Sequence, residues 1–366
     1  MDFIPISQPS LGELERKYLL DAFDSGWISS IGHYIDDFEK AFAAYCGVGH
    51  AVAVSNGTVA IQLALVARGI GPGDEVIVPD FTFVATANAA KHAGATPVIV
   101  DVERDTFCLD PAQFEQAITR KTKAVIPVHL YGHPADMDRI CAIAKARGIV
   151  VVEDGAEAHG ASIGKRRVGS FGFCSAFSFF GNKIITTGEG GMITTDDGAF
   201  ATRLRFLRDH GMDKGRKYWH TEVGFNFRMT NLQASIGLAQ LQRIDELLSA
   251  KLAVIERYRK NLAGQRGLSL NPCRPGYTNS YWMLCLSREL WDEKSRSDSM
   301  AELRKRNIET RPFFYPLSDL PMYAGRGAKT PVAHELSYKG INLPSFVGIS
   351  ESQIDYISEN VIEILK

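Results

Sequence analysis

The sequence predicts an α/β protein: a mainly parallel seven-stranded sheet in a large domain, residues 1–245, followed by a smaller α+β domain, residues 246–366. Three observations carry this expectation. Seven short runs rich in β-branched and apolar residues recur up to residue 195. Stretches with apolar residues at helical spacing fill most of the gaps between them. The length of 366 residues also suits about two domains at roughly 150 residues each.

The strands are expected at AVAVS (51–55), EVIVP (75–79), PVIVD (97–101), KAVIPV (123–128), IVVVED (149–154), SAFSF (175–179) and GMITT (191–195). Their unbroken apolar character means that both faces are covered, as in a parallel sheet flanked by helices. IQLALVARG, TANAAKHAG, AQFEQAIT and MDRICAIAKARG supply those helices. The glycine-rich stretch 181–191 between the last two runs is too short for a helical crossover, so the final strand is expected to be an antiparallel edge. One long helix is expected over 231–263, bridging to the small domain. There YWMLCL (281–286) and ETRPFFY (309–315) read as strands, and 297–307 and 352–366 as helices.

Composition narrows the function classes. Lys+Arg 41 against Asp+Glu 42, with neither half strongly charged, argues against nucleic acid or a membrane surface as the main partner. The six cysteines are scattered without a CxxC pair, which suits reduced, mostly packed thiols rather than a disulfide framework or a metal site. The N-terminus has no basic start followed by an apolar run, and no apolar stretch reaches the ~18–20 residues of a membrane span. A cytoplasmic protein is expected.

Three segments carry chemistry. In AVAVSNGTVAIQLAL a strand runs into Ser55-Asn56-Gly57-Thr58 and then a helix. Free N–H groups of Gly57 and Thr58 at the positive helix end suit a phosphate ester, although an ordinary capped turn reads the same way. No GxxxxGK[ST] pattern marks a nucleotide-hydrolysing loop. In VVEDGAEAHG, Asp154 stands at a strand's carboxyl end, where α/β sheets gather ligands, and Glu157 follows a short turn later. A carboxylate there keeps a heterocyclic ring nitrogen protonated; a helix-capping or metal-binding acid is the plainer alternative. In SAFSFFGNKIITTGEGGMITT, Lys183 follows a buried strand in apolar and hydroxylic surroundings. Desolvation lowers a lysine's pKa and makes its amine a nucleophile. A surface lysine is the commoner fate, but a strand-end site before a glycine turn is a costly place for an unpartnered charge. Ser178, five positions upstream, offers a hydroxyl to a phosphate.

The ordered set SNGTVAIQLAL, EVIVPDFTFVATANA, VVEDGAEAHG, FSFFGNKIITTGEGGM and GFNFRMTNLQASIGLAQL resembles the DegT/DnrJ/EryC1/StrS family of sugar aminotransferases, from about residue 5 to the C-terminus. The resemblance implies a fold-type-I, pyridoxal 5′-phosphate (PLP)-dependent enzyme that alternates between PLP and pyridoxamine phosphate. GWISSIGHYIDDFE, VHLYGHPADMD, YWHTEVGFNFRMTN and ETRPFFYPLSDLPMY are similar to those members that aminate C4 of GDP-4-keto-6-deoxy-D-mannose with L-glutamate, for O-antigen and other lipopolysaccharide sugars. Glu157, where many members carry Gln, favours that subgroup; a dTDP- or UDP-linked keto sugar is the alternative.

By the same resemblance Lys183 binds the cofactor covalently and shuttles a proton, Asp154 pairs with the ring nitrogen, and Glu157 contacts the ring 3-hydroxyl. Gly57, Thr58 and Ser178 hold the phosphate. Phe83 covers the ring, and Asn226 reaches the phosphate of a neighbouring subunit, implying a homodimer with shared sites or a tetramer. Taken singly, Phe83 reads as core packing and Asn226 as a turn cap. Trp27, Ser29, Arg216, Trp219, Arg311 and Tyr315 are candidates for the hexose, diphosphate and base, each with an equally good structural reading. No metal is implied. A family subset with His at the lysine position dehydrates instead of aminating; Lys183 favours transamination over that and over a non-catalytic PLP-binding regulator or scaffold.

Overall fold

The computed structural model describes residues 1–213, 215–325 and 329–365. The large sheet contains β1 (His50–Val54), β2 (Glu75–Pro79), β3 (Thr96–Val100), β4 (Thr122–Val125), β5 (Val150–Asp154), β6 (Cys174–Ser178) and β7 (Gly191–Thr195), in the spatial order β1-β7-β6-β5-β4-β2-β3. The run β3-β2-β4-β5-β6 is parallel throughout. Strand faces alternate as the pleat demands: Val52, Val54, Val76 and Val78 join one core, whereas Ala51, Ala53 and Ile77 point to the cores on the opposite side.

The strand β7 is antiparallel, as the short glycine-rich connection requires, but it is not an edge. It pairs with β6 on one side and along all of β1 on the other, from His50 opposite Thr195 to Val54 opposite Gly191. The packing at its start excludes a side chain: a Cβ on Gly191 would lie 2.5 Å from the carbonyl carbon of Asn56. Sequence order hides this, because the first strand of the chain returns to lie beside the last strand of the sheet.

The long helix expected over 231–263 is two helices, Asn231–Gln242 and Ile244–Asn261. The break is at Arg243 (φ −103°, ψ 6°), whose guanidinium bridges Glu15 and Glu246 at 2.8 and 3.0 Å. Two N-terminal helices not anticipated from apolar spacing, Glu13–Asp24 and His33–Cys46, lie against the first of them; Phe38, Phe42 and Leu238 share one core.

A second, antiparallel sheet contains β8 (Leu268–Leu270), β9 (Leu284–Arg288), β10 (Arg311–Pro312) and β11 (Gly340–Leu343), ordered β8-β9-β11-β10. Two of these strands are shorter than expected. Tyr281 adopts a left-handed backbone (φ 52°), so β9 starts only at Leu284. Pro312 has no N–H, and only Arg311 and Pro312 of the expected 309–315 run pair with β11. The C-terminal helices span Glu293–Lys305 and Glu351–Ile364. Ile4 pairs with Ile308 and is buried in the core of this second sheet. Among the described residues no helix is long and apolar enough to cross a membrane.

Candidate active site

The carboxyl ends of the parallel strands open into a cavity of about 630 Å³. Gly57, Thr58, Phe83, Asp154, Glu157, Ser178, Lys183 and Arg311, all candidates from the sequence, line it.

One end is a helix start. Asn56 caps the helix Gly57–Ala67 through Oδ1, which accepts the Val59 N–H at 3.0 Å. The N–H groups of Gly57 and Thr58 open that helix and have no intrahelical acceptor. Glycine is required at 57, since a Cβ there would lie 2.8 Å from Ser178 Cβ. The result is a helix start of two free N–H groups beside the Ser178 side chain, an arrangement that suits an anion.

Asp154 ends β5. Its Oδ2 accepts the Thr86 hydroxyl at 2.7 Å and its Oδ1 accepts the Ala156 N–H at 3.2 Å. Burial raises its pKa, against which the Thr86 and Ala156 bonds and the Lys183 charge pull. A carboxylate so desolvated is best satisfied by a cation placed against it.

Lys183 hangs from the turn after β6. Phe180 O accepts the Lys183 N–H (3.0 Å), Thr187 N–H and the Thr186 hydroxyl both donate to Phe179 O (2.9 Å each), and the Thr187 hydroxyl donates to Glu189 O (2.6 Å). This explains the TTGEGG pattern: its hydroxyls and glycines fold the chain tightly back into β7. The Lys183 Nζ lies 4.0 Å from Glu157 Oε1 and 3.9 Å from the centre of the Trp282 ring. It makes no hydrogen bond among the described residues. Burial pushes the Lys183 pKa down and that of Glu157 up, to about 7, while each charge draws the other back. For Lys183 the net direction is downward, which favours the free amine.

The match to known proteins agrees with this arrangement: residues 9–362 match the DegT/DnrJ/EryC1/StrS aminotransferase family. The chain belongs to that family. Its enzymes are PLP-dependent sugar aminotransferases, and the α/β fold is theirs. A GDP-perosamine synthase of Caulobacter vibrioides is 47% identical over 99% of this chain and 98% of its own length. One from Escherichia coli O157:H7 is 46% identical, covering 99% of both. The Spr1654 protein of Streptococcus pneumoniae, solved in its PMP form, is 31% identical with a TM-score of 0.94, covering 99% of this chain and 98% of that one.

Other candidates lie outside the cavity of this family member's single chain. Trp27 and Ser29 occupy an exposed loop pinned by Asn231, which donates to the carbonyls of both. Arg216 stacks on the half-exposed Trp219 at 4.1 Å. Tyr315 lies over the buried Arg296. Asn226 is exposed and accepts the Arg228 Nε–H at 2.9 Å. His129 is fully buried; it faces Glu153 at 3.1 Å and accepts the Ala135 N–H.

Sequence reasoning missed Thr86, Tyr131 and Trp282. Thr86 was within reach, since it follows the tip of β2 as a helix begins. Tyr131 and Trp282 carry no local signal. Tyr131 has a left-handed backbone (φ 52°), and its N–H donates to Glu157 Oε2 at 2.8 Å. A non-glycine residue held there stores strain that the surrounding structure must enforce.

Two buried imidazoles are expected to make the folded chain acid-sensitive. His159 packs against Phe177 and Phe179, and burial lowers its pKa to about 3. His133 is lowered to about 4, again by burial; its Nδ1 faces Pro134 O at 2.7 Å and its Nε2 accepts the Arg274 N–H at 3.0 Å. Both stay neutral in the folded chain, whereas in the unfolded chain they protonate below about 6.5. Their contribution is therefore intact above pH 6.5 and is lost as pH falls toward 4, by up to about 1.4 kcal/mol per pH unit for each ring. Urea midpoints measured from pH 7 to 4 should fall less steeply in His159→Phe and His133→Gln than in the parent. Parallel slopes would contradict this assignment.

Proposed function

We propose that the protein transfers the amino group of L-glutamate to the C4 ketone of GDP-4-keto-6-deoxy-D-mannose, giving GDP-perosamine for a surface polysaccharide. The observation that carries it is the crevice around Lys183, which unites a partly desolvated amine, the buried Asp154 and the Gly57–Ser178 cradle in a chain 47% identical to a GDP-perosamine synthase. These residues fit PLP. The amine makes no hydrogen bond and Asp154 has a hydroxyl and an N–H but no cation hydrogen-bonded to it among the described residues, and the cradle excludes any side chain larger than hydrogen at position 57.

When bound, PLP supplies the electron sink that stabilises a carbanion next to nitrogen. Lys183 Nζ would anchor it covalently and, once freed, would carry a proton from the substrate carbon to the cofactor in the first half-reaction and in the opposite sense in the second. Asp154 keeps the ring nitrogen protonated, and Glu157 holds the ring 3-hydroxyl. The Gly57 and Thr58 N–H groups with the Ser178 hydroxyl fix the phosphate. Phe83, from the loop after β2, covers the ring. Arg311 supplies positive charge for the substrates. The exposed positions of Asn226, Trp27, Ser29, Arg216 and Trp219 suit a homodimer in which a second copy completes each site.

The test is mass spectrometry of the product formed from glutamate and GDP-4-keto-6-deoxymannose, with dTDP- and UDP-linked keto sugars run alongside. A GDP-amino sugar formed at higher kcat/KM than its dTDP and UDP counterparts is expected. Equal or better turnover of a dTDP- or UDP-linked sugar would remove the GDP assignment, and a deoxy sugar with released ammonia would indicate a dehydratase.

A further inference from the structure

One side chain that faces the Lys183 amine belongs to none of the cofactor candidates. Nζ stands 3.9 Å from the centre of the Trp282 ring, on the approach to β9, and the nearest carboxylate oxygen, on Glu157, is at 4.0 Å. A cation gains more from the face of an indole than from any other side-chain ring, and most where water is excluded.

The indole is tightly held. Its Nε1–H donates to Asn182 O at 2.7 Å, so the ring grips the backbone of the residue preceding Lys183. Tyr131 lies nearly parallel to it at 6.1 Å, and Phe314 packs against both rings, 5.3 Å from Tyr131 and 6.4 Å from Trp282. The bend presenting it is strained. Tyr281 is left-handed (φ 52°), fixed by its N–H donating to Asn279 Oδ1 at 2.6 Å and by Ser280 N–H donating to Gly132 O at 3.1 Å. Gly132 permits the approach, since a Cβ there would lie 2.6 Å from Tyr281 N. Tyr131, the other left-handed residue of this contact, directs its N–H at Glu157. Two strained residues thus set an indole face and a carboxylate beside one amine, and strain of this kind concentrates where geometry matters to function.

We propose that Trp282 is a positioning residue for Lys183: its indole face receives the amine whenever that amine is not bonded to the cofactor, and keeps it in place to carry protons. The inference rests on the reading of Lys183 as the cofactor lysine. The face stabilises the ammonium form against burial and against Arg311, in concert with Glu157 and Asp154, so that the amine can both accept and release a proton.

The apoprotein offers a test without turnover. Formaldehyde with cyanoborohydride methylates unprotonated amines, and peptide mass spectrometry reads the labelling of Lys183 as a function of pH. Trp282→Leu should move the midpoint of labelling to lower pH by about half a unit to one and a half units, because the ammonium loses its π face. Trp282→Phe, which keeps an aromatic face but not the indole N–H, should stay much nearer the parent. Trp282→Met carries the same expectation as Leu if the latter does not fold. An unmoved midpoint in Leu or Met, or Phe displaced as far as they are, overturns the proposal. A separate control decides the underlying reading: borohydride should fix PLP to Lys183 in the parent protein, and failure there sinks the lysine assignment itself.

Discussion

Lys183→Ala is expected to abolish turnover, with a loss well beyond the roughly 10²–10⁴-fold that a general acid–base group alone supplies. The substitution removes two functions at once, because the same Nζ anchors the cofactor and moves the proton. Lys183 is the one lysine lining the cavity among the described residues, and Arg311 there stays protonated and is a poor nucleophile. Glu157 and Asp154 would remain buried without their positive neighbour, and their pKa values should rise further. Single-turnover measurements with pre-formed pyridoxamine phosphate and keto sugar separate the two functions. If an added primary amine restores this half-reaction, the lost step is proton transfer. Substantial unaided turnover in the variant would refute the role.

Asp154→Asn should slow turnover by about ten- to a thousandfold while leaving the fold intact. The carboxylate is buried at the end of β5, and a close opposite charge moves a pKa by about one to three units. That is the range by which the cofactor's ring nitrogen would lose its proton on replacement by a neutral amide. The hydrogen bonds survive: an amide oxygen can still accept the Ala156 N–H, and the amide nitrogen can donate to the Thr86 hydroxyl. Thermal midpoints should therefore nearly coincide while kcat falls. An unchanged rate would mean that another group keeps the ring protonated. A large drop in thermal stability would mean that the site is chiefly structural.

The helix-and-strand order of the large sheet was legible because it is written locally. Each of the seven apolar runs lies within a residue or two of an observed strand start, and the capped turn at Asn56 and the TTGEGG return are where they were expected. The misreadings have one cause. The sequence points to β7 as an edge because it shows which strands are consecutive but not which are neighbours, and β1 closes the sheet beyond it. The helix over 231–263 was read as continuous because its apolar spacing passes through Arg243, whereas the break is made by packing and by a salt link to Glu15, 228 residues away. Trp282 went unseen for the same reason. Its indole reaches the Asn182 carbonyl, next to Lys183, across 100 residues of chain, on a bend braced by Asn279 and by contact with Gly132.

What the sequence determined alone was the inventory: an α/β fold, a phosphate-suited turn, an acid at a strand's end and a lysine after a buried strand. Periodicity, capping and residue chemistry act over a few residues and need no tertiary contact to be read. The tertiary structure decided how these groups face one another. It buried Asp154 and Glu157 so that their pKa values rise, placed Glu157 4.0 Å from Lys183, and turned an indole toward the same amine. Desolvation and Coulomb energy depend on the distances between groups that the chain brings together from far apart, and only folding sets those distances.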